Sequence, residues 1–435
     1  MISEKLVYGI WQSPIACDLL TDKGEHFRKI YAGRAISGPG CDFQDAIFTI
    51  GGHLILGDVE IHVDAREWYL HGHHRDSRYN NVALHVVMWH SGAMPTVLEN
   101  GRTIPTVSLR TFLDKTTGAG HIDEKCESAV YARTCPVLRD GGDHSGLLRL
   151  LEQCGGKRFM AKAAYFKSAI AENSPSQILY RGIMGALGYS RNSSAFEKLA
   201  DTLPLEVLVQ AAAGGKYELC ALMLGTAGLL ENRSGRGVPK IDGGFYNEIL
   251  RIWKERMWKS TMEPGDWCLY GIRPGNSPEH RIEAAAELVL RYMDSGLLEG
   301  FVELVRTAPG QRYHAYLEDA LLVEKMGEPG KKRKPALLGR ARADEITINI
   351  LLPFVYAYAL SINNRRLAGK ARRLYQGYPA TGQNYITRLM CRNLEIPSGI
   401  RLNACSQQGL LYVFKTHCRY RDCGNCPLGR IGRQL

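Results

Sequence analysis

The sequence predicts an α+β protein, with an N-terminal α-β-β-β-α-β core over residues 1–115 and a large, mainly helical remainder. Three observations carry this. Short runs rich in β-branched and aromatic residues, broken by glycine, fill the first 115 residues. From residue 146 onward, apolar residues recur at helical spacing. Between them, residues 116–145 have no strong periodicity and contain Gly118, Gly120, Gly141 and Gly142, which suits a linker or a loop-rich crossing.

Taken in order, Ser3 to Trp11 suits a short opening helix. Phe27–Tyr31, Ala46–Ile50, Leu54–Leu56 and Val59–Val63 read as strands, and the Gly51-Gly52 pair is a hairpin signal. Ala65–His71 suits a helical turn or two, and Val82–Trp89 (VALHVVMW) a buried strand. Residues 146–327 form a helical domain through segments such as LLRLLEQ, FMAKAAYFKSAIAEN, SQILYRGIMGALG and HRIEAAAELVLRYM, punctuated by Gly or Pro. The run EPGKKRKP opens a basic helical region, residues 328–435, that includes INILLPFVYAYAL and ends in cysteines.

Composition narrows the function classes. Hydrophobic residues make up 45% and charged residues 23%, an ordinary globular balance. MISEKLVYGIWQ lacks a long apolar run and a cleavage site, and Ile350 to Leu360 is too short to span a bilayer, so neither secretion nor a membrane is expected. Twelve cysteines without a secretory signal point to a reducing cytoplasm with some thiolates on metal. The net charge of +11 is concentrated at one end. Residues 331–435 hold 19 Lys and Arg against 4 Asp and Glu, whereas residues 1–115 hold 11 against 13. Such asymmetry points to a polyanion, most often nucleic acid. Its expected contacts are Lys331, Lys332, Arg333, Lys334, Arg340, Arg342, Arg365, Arg366, Arg372 and Arg373, with Tyr375, Tyr378 and Tyr385 interleaved as stacking platforms.

The chemistry-bearing residues lie between 38 and 90. Asp42 stands at the mouth of a hairpin. Glu60 and His62 share one face of the next strand, because side chains two apart point the same way. A twisted hairpin brings Asp42 beside them, and His85 enters from the following strand. Two carboxylates and a neutral imidazole suit Mg²⁺ or Mn²⁺, which polarises a phosphodiester and activates water. The same stretch holds His71, His73, His74 and Asp76, from which a zinc site is the alternative. Asp42, Glu60, His62, His73 and His85 are therefore the catalytic candidates.

This constellation resembles the PD-(D/E)xK nuclease superfamily, whose restriction-endonuclease-like core has the same α-β-β-β-α-β order. The resemblance implies that Asp42 is the first acid and Glu60 the second. His62 stands where that superfamily has Lys, and Cys41 where it has Pro. Over nearly the whole chain, the segments GDVEIHV, DAREWYLHGHHRDSRYNN, LHVV, RGIMGALGYSRN, RPGNSPEHR, GRARADEITINILLPF and CSQQGLLYVFKTHCRYRDCGNC resemble a bacterial family catalogued as domain of unknown function 2851.

Cys418, Cys423 and Cys426 have the spacing C-x4-C-x2-C, a thiolate hook for zinc or an iron–sulfur cluster. Several nucleases of that superfamily hold a cluster with three C-terminal cysteines and one remote ligand. By that likeness Cys405 or Cys17 is the fourth. Three functions are therefore expected in competition. They are a metal-dependent nuclease, a non-catalytic nucleic-acid-binding protein on a degenerate nuclease scaffold, and a zinc-dependent hydrolase using the histidine cluster.

Overall fold

The computed structural model describes residues 4–12, 19–36, 40–91, 94–110, 135, 144–230, 243–259, 261–267, 274–324, 336–418 and 422–429. Most of the expected linker, Cys17, and Lys331, Lys332, Arg333 and Lys334 lie outside the described residues. The chain divides into two compact units, Met1–Gly141 with Cys391–Glu395 and Thr416–Asn425, and Gly142–Met390 with Ile396–Lys415 and Cys426–Leu435.

The first unit is built on a mixed sheet. Helix α1 (Glu4–Gln12) precedes strands β1 (Leu19–Leu20), β2 (His26–Tyr31), β3 (Arg34–Ala35), β4 (Phe43–Ile50) and β5 (His53–Asp64). A crossover containing α2 (Glu67–Leu70) leads to β6 (Val82–Trp89), then β7 (Thr96–Val97), β8 (Thr103–Ile104) and β9 (Thr106–Ser108). The sheet order is β1-β2-β4-β5-β6-β9, with β3 paired to β4. Strands β2, β4 and β5 run antiparallel in succession, while β5, β6 and β9 run parallel.

Two differences from the sequence reading matter. Leu54–Leu56 and Val59–Val63 are not separate strands but halves of the 12-residue β5. The crossover is one short helix and two 3-10 turns, His73–Arg75 and Ser77–Tyr79. Gly51 and Gly52 take φ of 56° and 84° in the β4–β5 hairpin, a left-handed pair that suits glycine. One face of the sheet is apolar: Val59, Ile61, Leu84, Val86, Met88 and Val107 pack with Val7, Ile10 and Trp11 of α1. Alternation along β5 and β6 then sends Glu60, His62 and His85 to the other face.

The second unit is helical. It runs through α3 (His144–Glu172), α4 (Pro175–Leu187), α5 (Tyr189–Thr202), α6 (Leu205–Ala212), α7 (Gly215–Thr226), α8 (Gly243–Glu255), α9 (Pro278–Arg291), α10 (Leu297–Thr307) and α11 (Tyr313–Asp319). After α12 (Arg340–Ile346) comes a π turn, Thr347–Leu351, and then α13 (Leu352–Ser361), α14 (Arg365–Gln376), α15 (Tyr385–Asn393) and α16 (Ala404–Thr416). Pro353 follows the π turn; it has no N–H for the preceding helical turn, which suits a wider helical turn there.

Two expectations are corrected here. The apolar segment around Ile350 to Leu360 belongs to a continuous 22-residue helix, Arg340–Ser361, long and apolar enough to cross a membrane. It lies in the core instead, with Leu351, Leu352, Phe354, Val355, Ala357 and Ala359 buried. The second correction concerns Gly155-Gly156, which does not end a helix. The 29-residue α3 runs through it because α16 crosses there at backbone contact. A Cβ on Gly155 would sit 2.0 Å from the Cys405 carbonyl oxygen, and one on Gly409 would sit 1.9 Å from that of Leu151.

Three segments far apart in sequence meet at Tyr189. Its ring lies 3.2 Å from the Arg342 guanidinium carbon and 5.1 Å from that of Arg281. Its hydroxyl accepts from Arg281 at 2.8 Å. These residues come from RGIMGALGYSRN, RPGNSPEHR and GRARADEITINILLPF, so these three runs share a packing role.

Candidate metal centre

The polar face of β5 is roofed by the crossover. Trp68 of α2 is fully buried and anchored by its indole N–H to the Val97 carbonyl at 2.9 Å. Gly72, with φ of 77°, turns the chain left-handed between α2 and the 3-10 turn. This turn folds His71 and His73 back over His62. Tyr79 stacks on His73 with ring centroids 4.0 Å apart, and Trp68 closes the side against His73 and His85 at 5.3 Å.

Three ring nitrogens, from His62, His71 and His73, lie within 4.8 Å of one another beneath this roof, with a Glu60 oxygen beside two of them. Nε2 of His62 is 3.2 Å from Nδ1 of His71 and 3.2 Å from Nε2 of His73. Oε1 of Glu60 is 3.3 Å from Nε2 of His73 and 3.9 Å from Nε2 of His62. Tetrahedral coordination at ~2.0–2.1 Å sets ligand atoms ~3.3 Å apart, which the His62–His71, His62–His73 and Glu60–His73 spacings match. Two arrangements suit the three ring nitrogens: Nε2 of His62 accepts from N–H groups on both neighbours, or each nitrogen turns a lone pair toward a shared ion. Burial, reinforced by the neighbouring rings, pushes His62 down to about 2, and burial pushes His73 down to about 4. Both rings are therefore neutral at pH 7, and the Glu60–His73 contact is a hydrogen bond rather than an ion pair.

Behind His62 runs a second layer. Nδ1 of His62 is 2.9 Å from Nε2 of His85; Nδ1 of His85 is 2.9 Å from Oγ1 of Thr96; and Thr96 is 2.9 Å from Oγ1 of Thr106. His85 is fully buried and held down to about 3 by burial. With His62 offering Nε2 to an ion, this chain fixes its tautomer: Nδ1–H donates to His85, and His85 donates to Thr96. Thus His85 positions His62, and His71 supplies the third ring nitrogen. His71 is exposed and opens the cluster to solvent.

Asp42 does not join the ring nitrogens. A bulge at Asp45, with φ of 58°, shifts the β4–β5 register between Phe43 and Ala46. The Asp42 carboxylate accepts from the Ile61 backbone N–H at 2.8 Å and from the Tyr8 hydroxyl of α1. Its own N–H donates to Oε2 of Glu60 at 2.9 Å. Asp42 therefore orients Glu60 through its backbone. Burial pushes the Asp42 carboxyl up to about 7, and burial plus the Asp42 charge raise Glu60 well above the usual range.

The family described as Protein of unknown function (DUF2851) matches residues 4–384. The chain belongs to this family. No curated protein and no solved structure matches it. The matched range in this DUF2851 protein includes the whole histidine cluster and leaves residues 385–435 beyond it.

The remaining sequence candidates of this DUF2851 protein scatter. Arg365, Arg366, Arg372 and Arg373 are exposed on α14. Arg340 is exposed but paired with Glu318 at 3.0 Å. Arg342, expected on the basic surface, is instead buried, donating to the Ala186 carbonyl and to Glu345. Tyr375 and Tyr378, expected as stacking platforms, are buried too, bonded to the Gly155 carbonyl and to Asp344. Cys405 is buried in α16, its thiol on the Glu152 carbonyl at 3.4 Å and pushed up to about 12 by burial. Cys418 is half-buried, Cys423 exposed and Cys426 buried.

Proposed function

We propose that this protein is a metal-dependent phosphodiester hydrolase that acts on nucleic acid. Its metal is held by Glu60, His62, His71 and His73. The observation that carries the reading is the grouping of the three ring nitrogens within 4.8 Å of one another, with Oε1 of Glu60 at 3.3 Å from the His73 nitrogen. Further support comes from the order α1-β2-β4-β5-α2-β6, left when the two-residue β1 and β3 are set aside, which resembles that of the PD-(D/E)xK core; Glu60-x-His62 lies on β5, while the acid before β4, Asp42, bonds Ile61 and Tyr8 instead. Three imidazoles and one carboxylate suit Mn²⁺ or Zn²⁺ better than the all-oxygen shell Mg²⁺ prefers.

An ion bound there supplies Lewis acidity toward a phosphoryl oxygen and a water of lowered pKa. The chain's own groups do the positioning. His85 and Thr96 hold His62 in one tautomer. The Asp42 N–H fixes Oε2 of Glu60 and so leaves Oε1 for the ion. Trp68 and Tyr79 exclude bulk water from the buried side, while exposed His71 marks the entry. The exposed arginines of α14 supply phosphate contacts.

The donor set favours a second reading as well, a zinc-dependent hydrolase of another phosphate or ester. Elemental analysis of the freshly purified protein is expected to give about one Mn or Zn per chain at this site. Metal-dependent cleavage of single- or double-stranded DNA or RNA supports the nuclease. Turnover of small phosphate or carboxylic esters alone supports the second reading. Metal binding without any turnover leaves the non-catalytic binding protein, and no metal in wild type overturns the site.

The thiolate hook extends the proposal to a second metal at Cys418, Cys423 and Cys426, in a reducing cytoplasm. Iron–sulfur ligation is expected to show visible absorption and zinc none. Full metal retention in Cys423→Ser would rule the hook out.

A further inference from the structure

Along α10 runs a cavity of about 550 Å³, lined wholly by the helical unit. One wall is α10 itself, from Leu298 to Thr307. Facing it are Tyr292 at the end of α9, Tyr316 of α11, and Tyr358 with Ile362 at the end of α13. The volume suits a small molecule rather than a macromolecule.

Local packing holds the rings of this cavity in place. Gly300 has no side chain, so the Tyr292 ring lies directly on the α10 backbone; a Cβ there would stand 2.4 Å from it. Phe301 backs the same ring, with centroids 4.7 Å apart. The Thr307 hydroxyl donates to the Glu303 carbonyl at 2.8 Å, so in its 3.0 Å bond with the Tyr316 hydroxyl the tyrosine is the donor. That bond ties the Tyr316 ring, 40% exposed, to α10. The charge is one-sided. Glu299, Glu303 and Arg306 are the charged side chains of the lining. Arg306 pairs with Glu303 at 2.5 Å. Among the described residues, the Glu299 carboxylate has no ion-pair or hydrogen-bond partner. Lys370 of α14 approaches the C-terminal end of α10, but it donates to the Arg306 and Ala308 carbonyls at 2.6 and 2.8 Å. One negative charge is therefore left over in a cavity with three tyrosine rings.

We infer that this cavity binds a small organic cation, an ammonium group carried on an apolar body. Tyrosine rings attract a cation through their negative faces. Leu298, Val302, Leu304 and Ile362 offer apolar surface to the body of such a molecule. Glu299 supplies the counter-charge. An anion would meet Glu299 instead, with Arg306 already paired, so phosphates and nucleic-acid strands are the wrong sign for this cavity. Every lining residue lies in the helical unit, so the assignment stands apart from the metal centre.

The test uses the full chain in EDTA, which silences any metal site. Phenethylammonium is titrated calorimetrically, with hydrocinnamate as the counter-probe, since it carries a carboxylate on the same phenethyl body. The variants are Glu299→Gln, Tyr316→Leu and Tyr316→Phe, with thermal melts alongside. Wild type is expected to bind phenethylammonium and not hydrocinnamate. Affinity for the cation should fall about three- to fivefold in Glu299→Gln and in Tyr316→Leu. Tyr316→Phe keeps the ring and should keep the affinity. Both altered side chains are exposed, so melting should move little. Equal binding of the two probes would show a cavity that does not select charge and would overturn the inference. So would no binding of phenethylammonium by wild type, or unchanged affinity in Glu299→Gln.

Discussion

His62→Ala is expected to abolish metal-dependent turnover, with a fall of about 10³-fold or more, equivalent to ~4 kcal/mol of transition-state stabilisation. His62 is the hub of the cluster: its Nε2 touches His71 and His73 while its Nδ1 leans on His85. Removing it takes away one ligand and the contact that aligns two others. Glu60→Gln keeps the shape and loses the charge, so activity should fall comparably while the circular-dichroism spectrum stays unchanged. Thr96→Val should act more mildly. It leaves every ligand in place but removes the acceptor that fixes His85, and through it His62. A loss of 10–100-fold in metal affinity is expected, with turnover recovering at saturating metal. Cobalt substitution gives an independent readout, since loss of a nitrogen ligand changes the visible spectrum in His62→Ala but only weakens binding in Thr96→Val. Equal activity of His62→Ala and wild type at saturating metal would remove the cluster from the chemistry.

Gly155→Val and Gly409→Val are expected to be the most destabilising single changes in the helical unit. Each new Cβ would overlap a backbone carbonyl of the partner helix, at 2.0 Å from Cys405 and 1.9 Å from Leu151. Backbone has no rotamer by which to yield, so α3 and α16 must separate. Relief of that overlap, with the packing lost around buried Tyr375 and Cys405, should cost more than ~3 kcal/mol. Gly156 is the internal control. It sits next in α3 and faces open space, with nothing within 4 Å of where a Cβ would stand, so Gly156→Ala should stabilise by ~0.5–1 kcal/mol. Urea unfolding followed by circular dichroism reads both signs. Similar midpoints for Gly155→Val and wild type would mean that the helices do not cross at contact distance.

Parts of the site were legible in the sequence for a simple reason. Strand parity alone puts Glu60 and His62 on one face, and the parallel pairing of β5 with β6 brings His85 alongside. Parity failed for Asp42, because the bulge at Asp45 re-aims its carboxylate to Ile61 and Tyr8. It also could not choose between His71 and His85. That choice depends on the left-handed turn at Gly72 and on two 3-10 turns, whose period is neither that of a strand nor of an α-helix. The glycine after His71 was the available signal. In the helical unit, charge alone did not distinguish Arg342, which is buried over Tyr189, from the exposed arginines of α14. Nor did spacing reveal that Gly155 and Gly409 are a matched pair, since 254 residues separate them and only the folded crossing relates them.

The Tyr189 clamp carries a consequence for the order in which the helical unit assembles. Its partners lie 92 residues away at Arg281 and, through Arg342 on the Ala186 carbonyl, 156 residues away. Each guanidinium gains its stacking partner only when its own long loop has closed, and loop closure costs entropy before any contact rewards it. The clamp is therefore expected to form after the local helix pairs, as a latch on the completed unit. Interactions absent from the folding transition state govern the rate of unfolding rather than of folding. Tyr189→Leu is accordingly expected to speed unfolding of the helical unit more than it slows folding, as stopped-flow unfolding in urea would read.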